Sequence, residues 1–217
     1  MAVTISLINM KGGVGKTTLT AQLGYAAIRR ETRTLVIDLD PQANLSQVLL
    51  GPDRYAEHLK SKKPTVTDLF ETQQTENIYH LIKMEIKPIS QGRYPHLLPS
   101  RLELAHTIKK QPIKTTILKE ALDIVAPKYD LIMIDCAPTE SILTEVAYHA
   151  SNYILVPIKP EYLATVGLPL LIRSIEEFKA NNPTHDIKIL GIVFNHSSAY
   201  TKGPEARGVC QGSCRTK

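Results

Sequence analysis

The sequence lacks the features of a membrane-spanning or disulfide-stabilised protein. Its longest apolar runs, such as YDLIMID and NYILVPI, are far shorter than the roughly 20 residues that a transmembrane helix needs. Three cysteines among 217 residues, an odd number, argue against a disulfide framework and favour a reducing, cytoplasmic compartment. Because the N-terminus leads directly into an apolar run, we also expect no signal peptide.

Metal-ligating patterns are also scarce. The seven histidines are scattered and show no HxxH or HExxH spacing, so we predict no catalytic histidine. Cys210 and Cys214 stand four residues apart, but two ligands are too few for a structural zinc site. The net charge of +5 permits contact with a polyanion, although solubility alone accounts for an excess of this size.

The opening stretch has the pattern of a βαβ unit. Apolar residues at 2–9 predict a strand, a glycine-rich turn follows, and the periodicity of 17–30 predicts a helix. A second apolar run at 32–40 predicts a second strand that ends in carboxylates. We expect the crossover between these two strands to be right-handed.

The rest of the chain continues this alternation. Strands with an almost uniformly apolar sequence are typical of a parallel sheet covered on both faces, so an α/β fold is predicted. A short helix is expected from 65–70, with Thr67 or Asp68 near its cap, and a short strand at 96–100, with loops between them. The other predicted strands are 129–135, 152–158 and 187–195, and the other predicted helices are 112–127, 139–150 and 165–181.

The stretch NMKGGVGKTTL at 9–19 predicts a phosphate-binding loop, although Met10 stands where the usual pattern has its first glycine. Backbone N–H groups of 12–17 would surround the β-phosphate, and the following helix would add its dipole. Lys16 would reach the β- and γ-phosphates, and the Thr17 hydroxyl would bind Mg²⁺. The sequence therefore predicts a nucleoside triphosphate and magnesium site.

Three carboxylates should lie near this loop. Asp135 ends one apolar strand, and Asp38 and Asp40 end another. In open α/β sheets, ligands bind beyond the carboxyl ends of the strands. A single aspartate in such a place is commonly a cap or surface turn, but three beside this loop indicate a metal site.

The motifs KGGVGKTT, DLDPQAN and DCAP together resemble those of the deviant Walker A ATPases, and most closely the ParA-type (Soj-like) partition ATPases. The segments LLPSRLEL and VPIKPEYLATVGL are also similar to ParA segments, so the resemblance extends to about residue 195. It implies a three-layer P-loop NTPase fold with a mostly parallel sheet, and ATP and Mg²⁺ as cofactors. The sequence departs from the family after GIVFN, so we expect an ATPase domain over 1–196 and an irregular tail over 197–217.

The resemblance also assigns roles to residues. It implies that Lys11, the family's signature lysine, reaches the ATP of a second subunit, whereas a general surface role is the alternative. It implies that Asp40 orients the attacking water, which makes Lys11, Lys16 and Asp40 the expected catalytic residues. The implied magnesium residues are Thr17, Asp38 and Asp135, and the implied nucleotide-binding residues are Lys11, Gly12, Gly13, Val14, Gly15, Lys16, Thr17, Thr18 and Asn195.

The resemblance further implies an ATP-dependent homodimer that binds non-specific DNA and is released by a ParB-like adaptor protein. Such a protein would be cytoplasmic and associated with the nucleoid, without a membrane partner. DNA contacts are expected at Arg173, Lys179 and Lys188.

Proteins with a related sequence pattern have three other functions, which are alternatives for this chain. A MinD-like membrane switch needs a C-terminal amphipathic helix, and no such pattern occurs after residue 197. An iron–sulfur reductase needs bridging cysteines, whereas Cys136 is interpreted as a packing residue. A biosynthetic amidoligase or synthetase on the same scaffold stays open, although no substrate pocket is identifiable from the sequence.

Overall fold

The computed structural model of the chain describes residues 2–73, 95–160 and 164–196. The tail predicted over 197–217, including Cys210 and Cys214, lies outside the described residues. So do most of the loops that were expected between the short helix and the short strand.

One parallel sheet of six strands forms the centre of the described structure, in the order β3-β2-β4-β1-β5-β6. Every predicted strand is present, which confirms the α/β P-loop NTPase architecture. The strands are β1 (Val3–Leu7), β2 (Thr34–Leu39), β3 (His96–Leu98), β4 (Leu131–Cys136), β5 (Tyr153–Ile158) and β6 (Lys188–Phe194).

Helices connect these strands. The prediction for 112–127 began too early, because the α-helix starts only at Ile117 and ends in a short 3₁₀ turn over 126–128. Three helices of seven to nine residues were not predicted. The helices are α1 (Lys16–Arg29), α2 (Asn44–Leu50), α3 (Pro52–Lys60), α4 (Val66–Thr72), α5 (Leu104–Lys110), α6 (Ile117–Val125), α7 (Ile142–Ala150) and α8 (Ala164–Asn181).

The start of α4 corrects one sequence prediction. Thr65, and not Thr67 or Asp68, is the N-cap residue of this helix. The Asp68 carboxylate accepts hydrogen bonds from the Thr65 backbone N–H at 2.7 Å and from its hydroxyl at 2.9 Å, and so completes a capping box. Thr67 lies inside the helix and is fully buried.

Apolar residues bury both faces of the sheet. One core packs Leu7, Val36 and Met133 against α1 and α2, and the larger core packs the opposite face against the helices that include α4, α6, α7 and α8. This arrangement gives the three layers that the resemblance implies. No helix within the described ranges is both long and apolar enough to cross a membrane.

The strand order determines where the polar loops meet. Leu7 of β1 and Asp38 of β2 are both register partners of Asp135 in β4, which lies between those strands. The loops that follow β1, β2 and β4 therefore leave the sheet side by side at its carboxyl edge.

Candidate nucleotide-binding site

The loop between β1 and α1 has the backbone of a phosphate cradle. Gly13 and Gly15 have φ angles of 72° and 89°, in the left-handed region that side chains disfavour. A Cβ atom on Gly15 would also collide with the side chain of Asn195. Helix α1 begins at the next residue, Lys16, so its first N–H groups face the loop.

Lys16 lies inside this loop. Its Nζ donates hydrogen bonds to the carbonyl oxygens of Asn9 at 3.1 Å and Lys11 at 3.3 Å, and only 7% of the residue is exposed. Burial lowers the pKa of the ammonium group, and the nearby Asp135 carboxylate opposes that change. The positive charge is therefore held at the point where the loop would surround a phosphate.

Thr17 and Asp135, two of the three residues predicted to bind magnesium, are in contact. The Thr17 hydroxyl donates to Asp135 Oδ2 at 2.7 Å, and the Thr20 hydroxyl lies 3.4 Å from Oδ1. Burial raises the pKa of Asp135 to about 7, and the negative charge of Asp38 adds to that effect. A bound cation would offset both causes.

Asp38 is engaged by the protein on both oxygens. Its Oδ2 accepts hydrogen bonds from the backbone N–H and the hydroxyl of Ser46, and its Oδ1 accepts the Asp40 N–H at 3.2 Å. The residue is completely buried, and this burial raises its pKa. Asp38 thus supports the loop that carries Asp40.

Asp40 begins the turn between β2 and α2. Its Oδ1 accepts the Gln42 N–H at 2.9 Å, and its carbonyl accepts the Ala43 N–H at 2.9 Å. Ala43 has a left-handed backbone with φ 53°, which reverses the chain into α2. The carboxylate is 8% exposed, so it lies just beneath the surface of the carboxyl edge.

Lys11 occupies the rim of the loop and is half-buried. Its backbone N–H donates to Asn9 Oδ1 at 2.8 Å, and the Asn9 amide donates to the Pro157 carbonyl at 2.7 Å. Asn9 thereby anchors the loop to β5.

Three residues of the site, Asn9, Thr20 and Ser46, were not predicted from the sequence. Of these, only Asn9 had a signal in the sequence, which was its position between the predicted strand and the loop.

The remaining residues predicted to bind nucleotide lie in the same loop or beside it. Asn195 follows β6, and its amide donates to the Val14 carbonyl at 3.0 Å. Val14 is buried, whereas Gly12, Gly13 and Thr18 are exposed. The structure therefore brings Asn195 to the phosphate loop, and its predicted contact with adenine stays a prediction.

The donor set suits magnesium. No group of three or more His, Cys, Asp or Glu that could hold a metal ion occurs within 2–73, 95–160 and 164–196. Magnesium in phosphoryl-transfer sites usually takes one or two protein oxygens and completes its shell with phosphate and water. A hydroxyl and a buried carboxylate beside a phosphate loop fit that requirement.

The three residues predicted to contact DNA lie on helix α8 and strand β6. Arg173 and Lys179 are exposed on α8 but six residues apart, which places them about 120° apart around the helix. Arg173 pairs with Glu177 at 2.8 Å, and Lys188 pairs with Asp186 at 2.7 Å. Contact of these three residues with DNA stays a prediction.

Known proteins share this fold and these motifs. A family model described as an AAA domain matches residues 2–189. The sporulation initiation inhibitor protein Soj of Bacillus subtilis is 30% identical over 205 residues, which cover 93% of this chain and 75% of Soj. The chromosome-partitioning ATPase Soj of Thermus thermophilus is 32% identical, over 87% of this chain and 67% of that protein. The chain belongs to the ParA/Soj family of P-loop ATPases.

Solved structures of other proteins share the fold of this chain. A structure of cobyrinic acid a,c-diamide synthase from Mycobacterium smegmatis with bound ADP and magnesium superposes with a TM-score of 0.77 and 28% identity. The match covers 97% of this chain and 80% of that one. A plasmid partition protein from Borrelia burgdorferi, at 23% identity and a TM-score of 0.66, shares the fold.

The buried carboxylates of this ParA-family site make the free energy of unfolding depend on pH. Because the folded pKa of Asp135, about 7, lies above its ordinary value of 3.8, the folded protein binds more protons between these values. Stability is therefore lost as pH rises through this window. Asp135→Asn should therefore raise the Tm at pH 8 and raise it by less at pH 5. Each kcal/mol of recovered free energy of unfolding corresponds to about 2–4 °C in Tm.

Thermal unfolding without nucleotide and with EDTA measures this difference. Asp130→Asn is the matched control, because Asp130 is exposed and its bonds to Arg33 lower its pKa to about 2. This control should show no gain in Tm at pH 8. An Asp135→Asn variant with an equal change in Tm at both pH values would contradict the interpretation.

Proposed function

We propose that this chain is a ParA-like partition switch that dimerises around ATP and hydrolyses it slowly. The observation that carries the proposal is the contact between Thr17 and Asp135 beside the buried Lys16. This is the arrangement that P-loop ATPases use to hold the metal and the terminal phosphates. The similarity to two partition-type Soj proteins supports the biological role.

Its cofactors are ATP and Mg²⁺, consistent with neighbours solved with ADP or an ATP analogue and magnesium. Thr17 and Asp135 would hold the metal. Asp38, the register partner of Asp135, would lie beside them and hold the segment that carries Asp40. Magnesium bound there would neutralise charge on the β- and γ-phosphates. The loop N–H groups and Lys16 would bind the same phosphates from the protein side.

Hydrolysis in this site depends on positioning. Asp40 lies at the carboxyl edge beyond Asp38 and would orient the attacking water. No strong general base is provided by the described residues around the loop, so turnover should be slow. Slow turnover suits a timer, because the ATP-bound state then persists long enough to act as a signal.

Replacing Asp40 with alanine should trap the ATP-bound dimer. Loss of the group that orients water should lower kcat about 100-fold and leave the affinity for ATP nearly unchanged. Steady-state ATPase assays and sedimentation with ATP give the two readouts. Asp53→Ala, which removes an exposed carboxylate from the first turn of α3, is the control. Normal turnover by Asp40→Ala would remove this residue from the mechanism.

Dimerisation would bring Lys11 to the nucleotide of the second subunit. Lys11 is at the rim of the loop, outside Lys16, and its flexible stem gives it reach. An added ammonium at the γ-phosphate would neutralise charge that develops during phosphoryl transfer. After hydrolysis and phosphate release this contact weakens, and the dimer would separate.

The ATP-bound dimer would bind DNA without sequence preference and so associate with the nucleoid. A ParB-like adaptor would stimulate hydrolysis and release it. The test is co-sedimentation with double-stranded DNA in ATP, in ADP and without nucleotide, at 50 and 200 mM salt. Binding only with ATP, weakened steeply by salt, is the expected result, whereas equal binding in all three states would contradict the switch.

A biosynthetic enzyme is the second candidate, because a neighbour of this fold at 28% identity is described as a cobyrinic acid a,c-diamide synthase. Such an enzyme would hydrolyse ATP only with a carboxylic acid and a nitrogen donor. ATP hydrolysis by the chain alone, stimulated by DNA, would exclude it.

A MinD-like role would instead give ATP-dependent sedimentation with liposomes.

A further inference from the structure

A buried chain of hydrogen bonds leads from the candidate site into the protein. Asp38 Oδ2 accepts the backbone N–H of Ser46 at 2.8 Å and its hydroxyl at 2.7 Å. The Ser46 hydroxyl oxygen in turn accepts the backbone N–H of Ser100 at 2.9 Å. Each of these three residues is 0% exposed, so the chain joins the end of β2, the first turn of α2 and the turn after β3 without solvent.

The direction of these bonds is fixed by chemistry. The Ser100 N–H can only donate, so the Ser46 oxygen must accept there. The single hydroxyl proton of Ser46 is then directed at Asp38, where it meets a carboxylate oxygen. A hydroxyl held at both ends by such partners has one orientation, and a hydrogen bond to a charged acceptor is stronger than a neutral one.

Asp38 also contacts the segment after β2 that carries Asp40. Its second oxygen accepts the backbone N–H of Asp40 at 3.2 Å. The orientation of the Asp38 carboxylate therefore helps to fix where the chain turns after β2. Movement of that carboxylate would displace Asp40 without touching the phosphate loop, which is held separately by Asn9 and Lys16.

We propose that Ser46 is a positioning residue for hydrolysis, which acts through Asp38 to keep Asp40 in place. This inference rests on the proposed function, because it concerns the step that Asp40 serves. Within the described ranges, no hydrogen bond joins Ser46 to the phosphate loop or to Thr17, and its hydroxyl bonds with Asp38 and Ser100. Its loss should therefore affect turnover and spare nucleotide binding.

The experiment compares Ser46→Ala with Ser46→Thr and Ser151→Ala. Ser151 is an equally buried serine with two hydroxyl contacts, to Ser6 and to the Ala147 carbonyl, but it precedes β5 at the opposite edge of the sheet. Ser46→Ala should lower kcat about tenfold and change the Kd for ATP less than twofold. Ser46→Thr, which keeps the hydroxyl, should recover at least half of the wild-type kcat, and Ser151→Ala should keep it.

Amide hydrogen exchange of the nucleotide-free protein adds a readout that does not need activity. In Ser46→Ala the Ser100 amide loses its acceptor, so it and the amides of Asp40 and Gln42 should exchange at least fivefold faster. Ser151→Ala should leave these rates unchanged. A wild-type kcat in Ser46→Ala, an equal fall in Ser151→Ala, or unchanged exchange of the Ser100 amide would each overturn the inference. Absence of hydrolysis in the wild type would instead contradict the proposed function itself.

Discussion

Replacing Lys16 with alanine is expected to abolish ATP binding, with a rise in Kd of about 100-fold or more. Lys16 is 7% exposed, and its ammonium group lies inside the phosphate loop, where it donates hydrogen bonds to two loop carbonyls. No other cation in the described part of the loop lies so far inside it. A triphosphate bound to the variant would lack this innermost positive charge. Its phosphates would still be partly removed from water, so their negative charge would be poorly compensated.

Isothermal titration or fluorescence with a labelled ATP analogue measures this effect. Lys60→Ala, which removes an exposed lysine at the end of α3, is the matched control and should bind as the wild type does. Circular dichroism shows whether each variant is folded. A folded Lys16→Ala protein that binds ATP within threefold of the wild type would contradict the assignment of this loop.

Replacing Lys11 with alanine should separate binding from dimerisation. Lys11 is at the rim of the loop, so each monomer should keep an affinity for ATP within about threefold of the wild type. The dimer should fail, because the ammonium is expected to complete the partner's phosphate site. The variant dimer loses one such charge pair in each of its two sites. Loss of even one pair at a closed interface costs about 2–5 kcal/mol, so the dimer constant should weaken by at least roughly 30-fold.

Sedimentation velocity across a range of protein concentrations, with ATP and magnesium, measures the dimer constant. Hydrolysis should fall in parallel, because the same charge is missing in the transition state. Lys60→Ala again serves as the control for loss of one positive charge. Normal dimers of the Lys11→Ala variant would leave Lys11 as a surface lysine, the alternative that the sequence left open.

The phosphate loop and the strand and helix that flank it could be predicted because their signals are local. A glycine-rich turn between an apolar strand and a periodic helix specifies both the backbone and the chemistry at Lys16 and Thr17. The convergence of Asp38 and Asp135 followed from strand ends alone, because parallel strands place their carboxyl ends at one edge. The register of β2 and β4 confirmed it.

What the sequence did not indicate depends on contacts between distant segments. Ser46 reaches Asp38 only because the left-handed Ala43 reverses the chain into α2, and no pattern marks a left-handed alanine. Helix α4 begins at Thr65 because Asp68 completes a reciprocal cap, which a choice between Thr67 and Asp68 overlooked. Short helices such as α2 and α3 have too few turns for a clear periodicity.

The basic residues show a further property that composition does not give, the pairing of charges after folding. Arg173 and Lys188 each pair with a carboxylate of the same chain, and Arg173 lies about 120° around α8 from Lys179. Charge counts do not reveal such pairing, because it depends on which side chains are neighbours after folding. DNA binding is therefore better tested on the ATP-bound dimer than through these three positions.

The central claim is that ATP and magnesium join two copies of this chain. Sedimentation velocity of the wild-type protein with a non-hydrolysable ATP analogue and magnesium, with ADP and magnesium, and without nucleotide tests it most directly. The account predicts a species of twice the monomer mass with the analogue and monomers in the other two conditions. The same mass in all three conditions would contradict it.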